Sequence, residues 1–322
     1  MSTSDSPRLG WIGLGSMGMA MALNMQKHLT SQDLPALKYW NRTISRGDTL
    51  RDIGGVACSS PSEVIQACDV TFVSLSDDSA VQNLLTSIPP ETLKGKTIVD
   101  TTTISPSLCS DLTSLLSSHH ATYLSSPVFG STPVAQAGQL LIALAGPAAA
   151  IAVIKPYLQG VLARGVIEVG NEPKQAILLK TSGNFITAGL MMLMSEAHTL
   201  AEVSGLPAST LHALVEHNFG AYAAGVSERL VSGAYCPAKG EAPRSGLELG
   251  IKDVGNGVQL ARDAGIRLGV GEMYLEAAGE AKAWGDKSGR RMDSSAVYGA
   301  VRERAGLGFE TGVVKARDAG KE

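Results

Sequence analysis

"GLGSMGMAMALNM", residues 13–25, decides how the chain is read. It follows the apolar run "LGWI" and leads into helix formers. Gly13, Gly15 and Gly18 therefore form G-x-G-x-x-G in the strand-turn-helix setting that gives the pattern meaning. The first glycine permits a tight turn, the second lets a pyrophosphate touch backbone, and the third lets helix and strand pack closely. An anion there meets unpaired N–H groups and the positive end of the helix dipole. The residues predicted to cradle a dinucleotide are Gly13, Leu14, Gly15, Ser16, Met17 and Gly18.

Outward from this loop, short β-type runs alternate with helical stretches from Leu9 to Val169: "LGWIGL", "ALKYWN", "VACSS", "VTFVSL", "TIVDTT" and "ATYLSS". The intervals accommodate crossover helices, which predicts a parallel, doubly wound α/β sheet of Rossmann type. Ser60, Pro61 and Glu63 mark a capped helix start. "QLLIALAG", a helix from Pro147 to about Leu158 and the strand "GVIEVG" complete residues 8–170 as a dinucleotide-binding domain.

After Gly170 the β-branched runs vanish. "PKQAILLKTSGNFITAGLMMLMSEAHTLAEVSG" predicts one long helix or two in line, and further helices are expected at about 208–217, 246–264 and 270–284. Residues 171–322 thus read as an all-helical substrate and dimerisation domain, with a polar tail after Arg302 expected to fray.

The second strand fixes the cofactor. It ends at "YWNRT", where an NAD site places Asp or Glu against the ribose 2′-hydroxyl. Asn41 stands there, followed by Arg42, Thr43 and Arg46, so nothing repels a 2′-phosphate and two guanidiniums are at hand. NADP(H) is the expected cofactor.

Composition excludes other classes. A net charge of -3 with scattered Lys and Arg gives no nucleic-acid footprint. Cys58, Cys68, Cys109 and Cys236 lack C-x-x-C spacing, and the start has no signal-peptide or presequence pattern, which predicts a reduced, cytoplasmic protein. No apolar run was expected to reach the ~20 residues needed to cross a bilayer. His212 and His217 are five apart, wrong for zinc pairing on a helix, so no metal is expected.

Five separated motifs over residues 8–300 resemble the β-hydroxyacid dehydrogenases, the group of 3-hydroxyisobutyrate dehydrogenase and glyoxylate/succinic semialdehyde reductase. They are "GLGSMG" with "ALNM", "VDTTTISP", "SSPVFGSTPVAQAGQL", "KTSGN" and "IKDVGNGVQLARDAGI". The resemblance implies Lys180 as catalytic lysine and Asn184 as a substrate-orienting amide. Their i, i+4 spacing puts both on one helix face. It further implies Thr103 beside the nicotinamide, Lys252 closing over cofactor and substrate, Leu75 and Ser76 on the adenosine side, and Phe129, Gly130 and Ser131 at the substrate. A homodimer or tetramer is implied as well.

The departures lie in the substrate signature. Phe129 replaces a serine, Ser131 a glycine and Ser125 an aspartate, while Lys174 and Ala176 stand six and four residues before Lys180 in place of glycines. A modified acid pocket, for a bulkier or less polar substrate, is the expectation. The expected reaction is reversible hydride transfer between a small aldehyde or keto acid and its hydroxy acid, with Lys180 as general acid/base. The alternatives are an imine reductase or reductive aminase of the same architecture, in which the lysine is commonly Asp or Tyr, and a non-catalytic cofactor-binding interaction module.

Overall fold

The computed structural model describes residues 6–320. They form two compact units, the first ending at Lys180 and the second beginning at Thr181.

The first unit is built on nine strands: β1 (Leu9–Ile12), β2 (Lys38–Trp40), β3 (Val56–Ala57), β4 (Val70–Val73), β5 (Thr97–Asp100), β6 (Thr122–Ser125), β7 (Val128–Phe129), β8 (Leu140–Ala145) and β9 (Ala163–Gly170). The order is β3-β2-β1-β4-β5-β6-β8-β7, with β9 beside β8. Strands β1 to β6 pair in parallel. Beyond them β8 turns antiparallel to β6 and β7, so the sheet is mixed at this side rather than wholly parallel. The order reverses at β1, between β2 and β4, the place where open α/β sheets receive ligands outside their strand ends.

Side-chain alternation explains the layers. Trp11, Phe72, Val99 and Leu124 face helices α1 (Ser16–Ser31) and, further along the chain, Ala148–Ile154, with Met21, Met25, Leu29 and Ile154 filling the layer. The Trp11 and Phe72 rings stack 5.2 Å apart. Ile12, Val73, Ile98 and Tyr123 point the other way. They meet α3 (Pro61–Ala67), α4 (Asp78–Ser87) and α6 (Pro106–Ser118), while α2 (Asp48–Asp52) and α5 (Pro90–Leu93) are short connectors. Buried on both faces, such strands read as continuous apolar runs. Ser60 caps α3 by accepting from Glu63 N–H at 3.1 Å, and the Glu63 carboxylate reaches back to Ser59. The unit closes with α7 (Thr132–Gln136) and α8 (Ala148–Ile154).

Helix α9 (Pro173–Val203) is one unbroken helix of 31 residues. The division between the units falls inside it, because Ala176 and Ile177 join the apolar clusters of the sheet. By length and composition α9 is also long and apolar enough to cross a membrane, so the expectation that no run approaches that size is corrected. Apolar side chains lie on several faces of the helix, and only some of them enter the core.

The second unit adds α10 (Ala208–Val231), α11 (Leu247–Asp263), α12 (Gly269–Ser288), α13 (Val297–Arg304) and α14 (Gly312–Ala319). Met191, Met192 and Met194 pack here against Val258, Tyr274 and Ala277, while Leu193 faces out. Gly220, with φ 79° and ψ 174°, breaks the helical geometry of α10, so the helix expected at about 208–217 is followed past the kink by a second helical stretch that ends at Val231. Phe219 and Tyr222 are exposed at that kink.

Among the described residues, the chain after Arg302 does not fray. Phe309 is buried and stacks on Trp284 at 4.1 Å, Tyr235 Oη donates to the Phe309 carbonyl, and Arg290 pairs with Glu310 and Asp318. Glu310 and Asp318 of this tail are held in long-range ion pairs, which composition cannot distinguish from a solvated end.

Candidate functional site

The glycine loop leaves β1 at its carboxyl end. Gly13 has φ +98°, and a Cβ there would lie 2.2 Å from the Ser74 carbonyl oxygen of the β4 exit. A Cβ on Gly18 would lie 2.2 Å from the Gly13 carbonyl oxygen, which also accepts from the Trp11 indole N–H at 3.1 Å. Gly15 differs: nothing lies within 4 Å of its would-be Cβ. Two glycines are demanded by the protein's own packing and the third opens a space. Gly15 caps α1 without any side-chain hydrogen bond, so the first N–H groups of that helix are left to a ligand. Ser16 is exposed and Met17 partly buried, its Sδ 3.7 Å from Thr132 Oγ1. A pyrophosphate fits this cradle.

Asn41, at the exit of β2, is committed to the loop. Its Oδ1 accepts from Leu14 N–H at 2.9 Å and its Nδ2 donates to the Thr43 carbonyl at 2.8 Å. It supplies a neutral polar wall where a carboxylate was the alternative. Arg42, Thr43 and Arg46 are exposed beside it, Arg46 in a 3₁₀ turn (Ile44–Gly47), and neither arginine forms an ion pair among the described residues.

The exits of β4 and β5 are joined through one buried carboxylate. Asp100 accepts from Thr102 N–H and from Tyr123 Oη, each at 2.8 Å, and Thr102 Oγ1 accepts from Leu75 N–H at 3.0 Å. Leu75, Ser76 and Thr103 are thereby held on adjacent strand ends, and Ser76 Oγ donates to Asp77 at 2.6 Å. Burial pushes the Asp100 carboxyl up to about 6. The sequence reading passed over Asp100 and Tyr123. The signal available was "VDT" closing a buried strand opposite a tyrosine on the next.

Phe129 ends β7, and Gly130 and Ser131 follow it. Gly130 takes φ +140°, and a Cβ there would lie 2.7 Å from Leu140 Cδ2. Asn24 of α1 donates to the Ala135 carbonyl at 2.8 Å, tying α7 to the helix that carries the glycine loop. Lys180 is 8% exposed, and its Nζ lies 4.6 Å from the centroid of the Phe129 ring. A charged donor and an aromatic face therefore stand together in the first unit.

In the second unit, Asn184 Nδ2 donates to Asp253 Oδ2 at 2.6 Å, and Lys252 Nζ lies 3.3 Å from Asp253 Oδ1. A carboxylate only accepts, so it fixes which way the Asn184 amide faces. One N–H and the carbonyl oxygen of Asn184 remain for another partner. Asp253 thus contacts both Asn184 and Lys252.

Residues 8–170 match the family described as the NAD binding domain of 6-phosphogluconate dehydrogenase. The NADH-dependent oxidoreductase ucdB of Aspergillus ustus is 28% identical over 302 residues, covering 92% of this chain and 99% of that protein. Glyoxylate/succinic semialdehyde reductase 1 of Arabidopsis thaliana is 31% identical over 208 residues, covering 63% of this chain and 69% of that protein. In fold, a solved 3-hydroxyisobutyrate dehydrogenase of Mycobacterium tuberculosis superposes with a TM-score of 0.78 at 20% identity, over 92% of this chain and 99% of that one.

The two kinds of glycine separate by experiment. Gly15→Ala should leave the thermal midpoint nearly unchanged and weaken dinucleotide binding about tenfold or more. Gly18→Ala should lose about 1–3 kcal/mol of unfolding free energy, read by denaturant titration. Asp100 makes a pH prediction. Its carboxyl is held above the unfolded value of 3.8, so its stabilising contribution is full at low pH and disappears as pH rises through about 6. Asp100→Asn, neutral throughout, should therefore gain about 3 kcal/mol relative to the parent between pH 4 and pH 7.

Proposed function

The chain belongs to the β-hydroxyacid dehydrogenase family and is an oxidoreductase; on that premise we propose that it interconverts a small aldehyde or keto acid with the corresponding hydroxy acid, using NADPH. The observation that carries this reading is Lys180, a buried ammonium one helical turn before an amide whose orientation a carboxylate fixes. Gly13 to Gly18 would hold the pyrophosphate, and Leu75, Ser76 and Thr103 the adenosine and nicotinamide sides. When bound, the nicotinamide supplies or takes up the hydride.

The protein's task is the proton. Lys180 Nζ donates to the substrate oxygen during reduction and takes the proton back during oxidation. Asn184 offers its second N–H to the same oxygen, and Asp253 keeps the amide from turning over. Gly130 lets backbone approach the substrate, and Ser131 lies next to it. Four free, buried cysteines fit a reducing cytoplasm. Phe129 favours a second reading, reduction of a C=N bond, because an aromatic face stands where the family pattern has a hydroxyl. Turnover of a cyclic imine with none of succinic semialdehyde or glyoxylate would select it.

NADPH is preferred over NADH on the strength of Asn41 and the exposed Arg42 and Arg46. The Aspergillus relative is named for NADH, so the point needs its own test.

A homodimer is part of the proposal. Ile186, Leu193 and Leu200 are 60–65% exposed on α9 at intervals of seven residues, the spacing by which one helix packs along another. The family resemblance, which implies a homodimer or tetramer, supports a second copy of this chain as the occupant of that face.

Lys180→Ala should lower kcat about a thousandfold, within the usual range for a general acid, and leave NADPH binding intact by fluorescence titration. Arg42→Ala should raise KM for NADPH far more than for NADH. Equal effects would contradict the 2′-phosphate assignment. Light scattering should give about twice the 33.4 kDa chain mass, and Leu193→Glu should halve it. A monomeric parent that floats with lipid vesicles would assign the α9 face to a membrane instead.

A further inference from the structure

Phe129 does more than remove a hydroxyl from the substrate loop. Val128 and Phe129 pair antiparallel with Ile142 and Leu141 of β8, which fixes the backbone carrying the ring. The ring packs on Ala143, Ala145 and Ala176, beside Val169 and Leu179. Leu179 immediately precedes Lys180 in α9, so the same cluster that seats the ring also seats the first turns of the lysine's helix. The Lys180 ammonium then lies 4.6 Å from the ring centroid, inside the ~6 Å reach of a cation–π contact. Lys180 is nearly buried, and the attraction strengthens where water does not screen it.

The chemistry of this contact is selective. The negative face of a ring attracts an ammonium and offers little to a neutral amine. Burial acts the other way by penalising the charge, so the ring offsets part of what desolvation costs.

We propose that Phe129 is a positioning residue for the reaction: its ring face holds the Lys180 ammonium in place and favours the protonated form, so that the lysine waits as an acid for a carbonyl oxygen. This rests on the reading of Lys180 given above and assigns the direction it is poised for. Reduction is the direction the resting protonation state serves. Oxidation needs the free amine, so it sets in only at higher pH.

The sign of the test follows. Removing the ring while keeping apolar volume, in Phe129→Leu, withdraws support from the ammonium and lowers the midpoint of its titration. Phe129→Tyr keeps a face and should restore it. The measurement is the pH titration of the Lys180 side chain by NMR, in the full chain with selectively labelled lysine and the signal assigned by its loss in Lys180→Arg. The expected result is a midpoint lower by about half to one and a half pH units in Phe129→Leu, near parental in Phe129→Tyr. The limb of the kcat profile for alcohol oxidation should move to lower pH by the same amount. A midpoint in Phe129→Leu that matches or exceeds the parent overturns the proposal, whatever the turnover. Full turnover in Lys180→Ala would instead sink the catalytic reading of the lysine, and the NMR titration separates the two failures because it needs no activity.

Discussion

The first unit depends on two backbone approaches so close that a single methyl would block them. The space where Gly13 and Gly18 lack side chains is already filled, by the Ser74 carbonyl in one case and the Gly13 carbonyl in the other. Those contacts seat α1 against β1 and the β4 exit, and aim its open N-terminus outside the sheet at the strand-order reversal. The apolar layers of Trp11 and Phe72 on one side and Ile12 and Val73 on the other hold β1 and β4 in register beneath it. Of the three glycines in this loop, Gly15 alone keeps open space at its would-be Cβ.

The polar groups around this frame act mainly on each other. Asn41 hydrogen-bonds the glycine loop, Asp100 gathers Thr102 and Tyr123, and Asp253 turns the Asn184 amide. Each is a buried or half-buried group with its partners supplied by the protein, which is how a site keeps its geometry before any ligand arrives. The two groups proposed to meet the substrate oxygen, Lys180 and Asn184, share one helix, so their spacing is set by α-helical geometry rather than by loops.

Much of this was legible in the sequence, for identifiable reasons. Strands buried on both faces announce themselves as apolar runs, the glycine spacing sits in its required setting, and the i, i+4 relation of Lys180 and Asn184 needs only a helix. What the sequence hid was long-range. Nothing local tells that Phe309 stacks on Trp284 or that Arg290 holds Glu310 and Asp318, so the tail read as loose. The two residues of β7 are too few to show a period, yet their antiparallel pairing is what places Phe129 beside Lys180. Asp100 read as an ordinary strand end because its partner Tyr123 is 23 residues away.

The most direct measurement is a mixing experiment with the unmodified chain. Protein, NADPH and a panel of small aldehydes and keto acids, succinic semialdehyde and glyoxylate among them, are combined and the NADPH absorbance is followed. The expected result is a loss of absorbance that depends on both protein and carbonyl compound and yields the hydroxy product. A chain that binds NADPH yet oxidises none of it with any carbonyl in the panel would contradict the account.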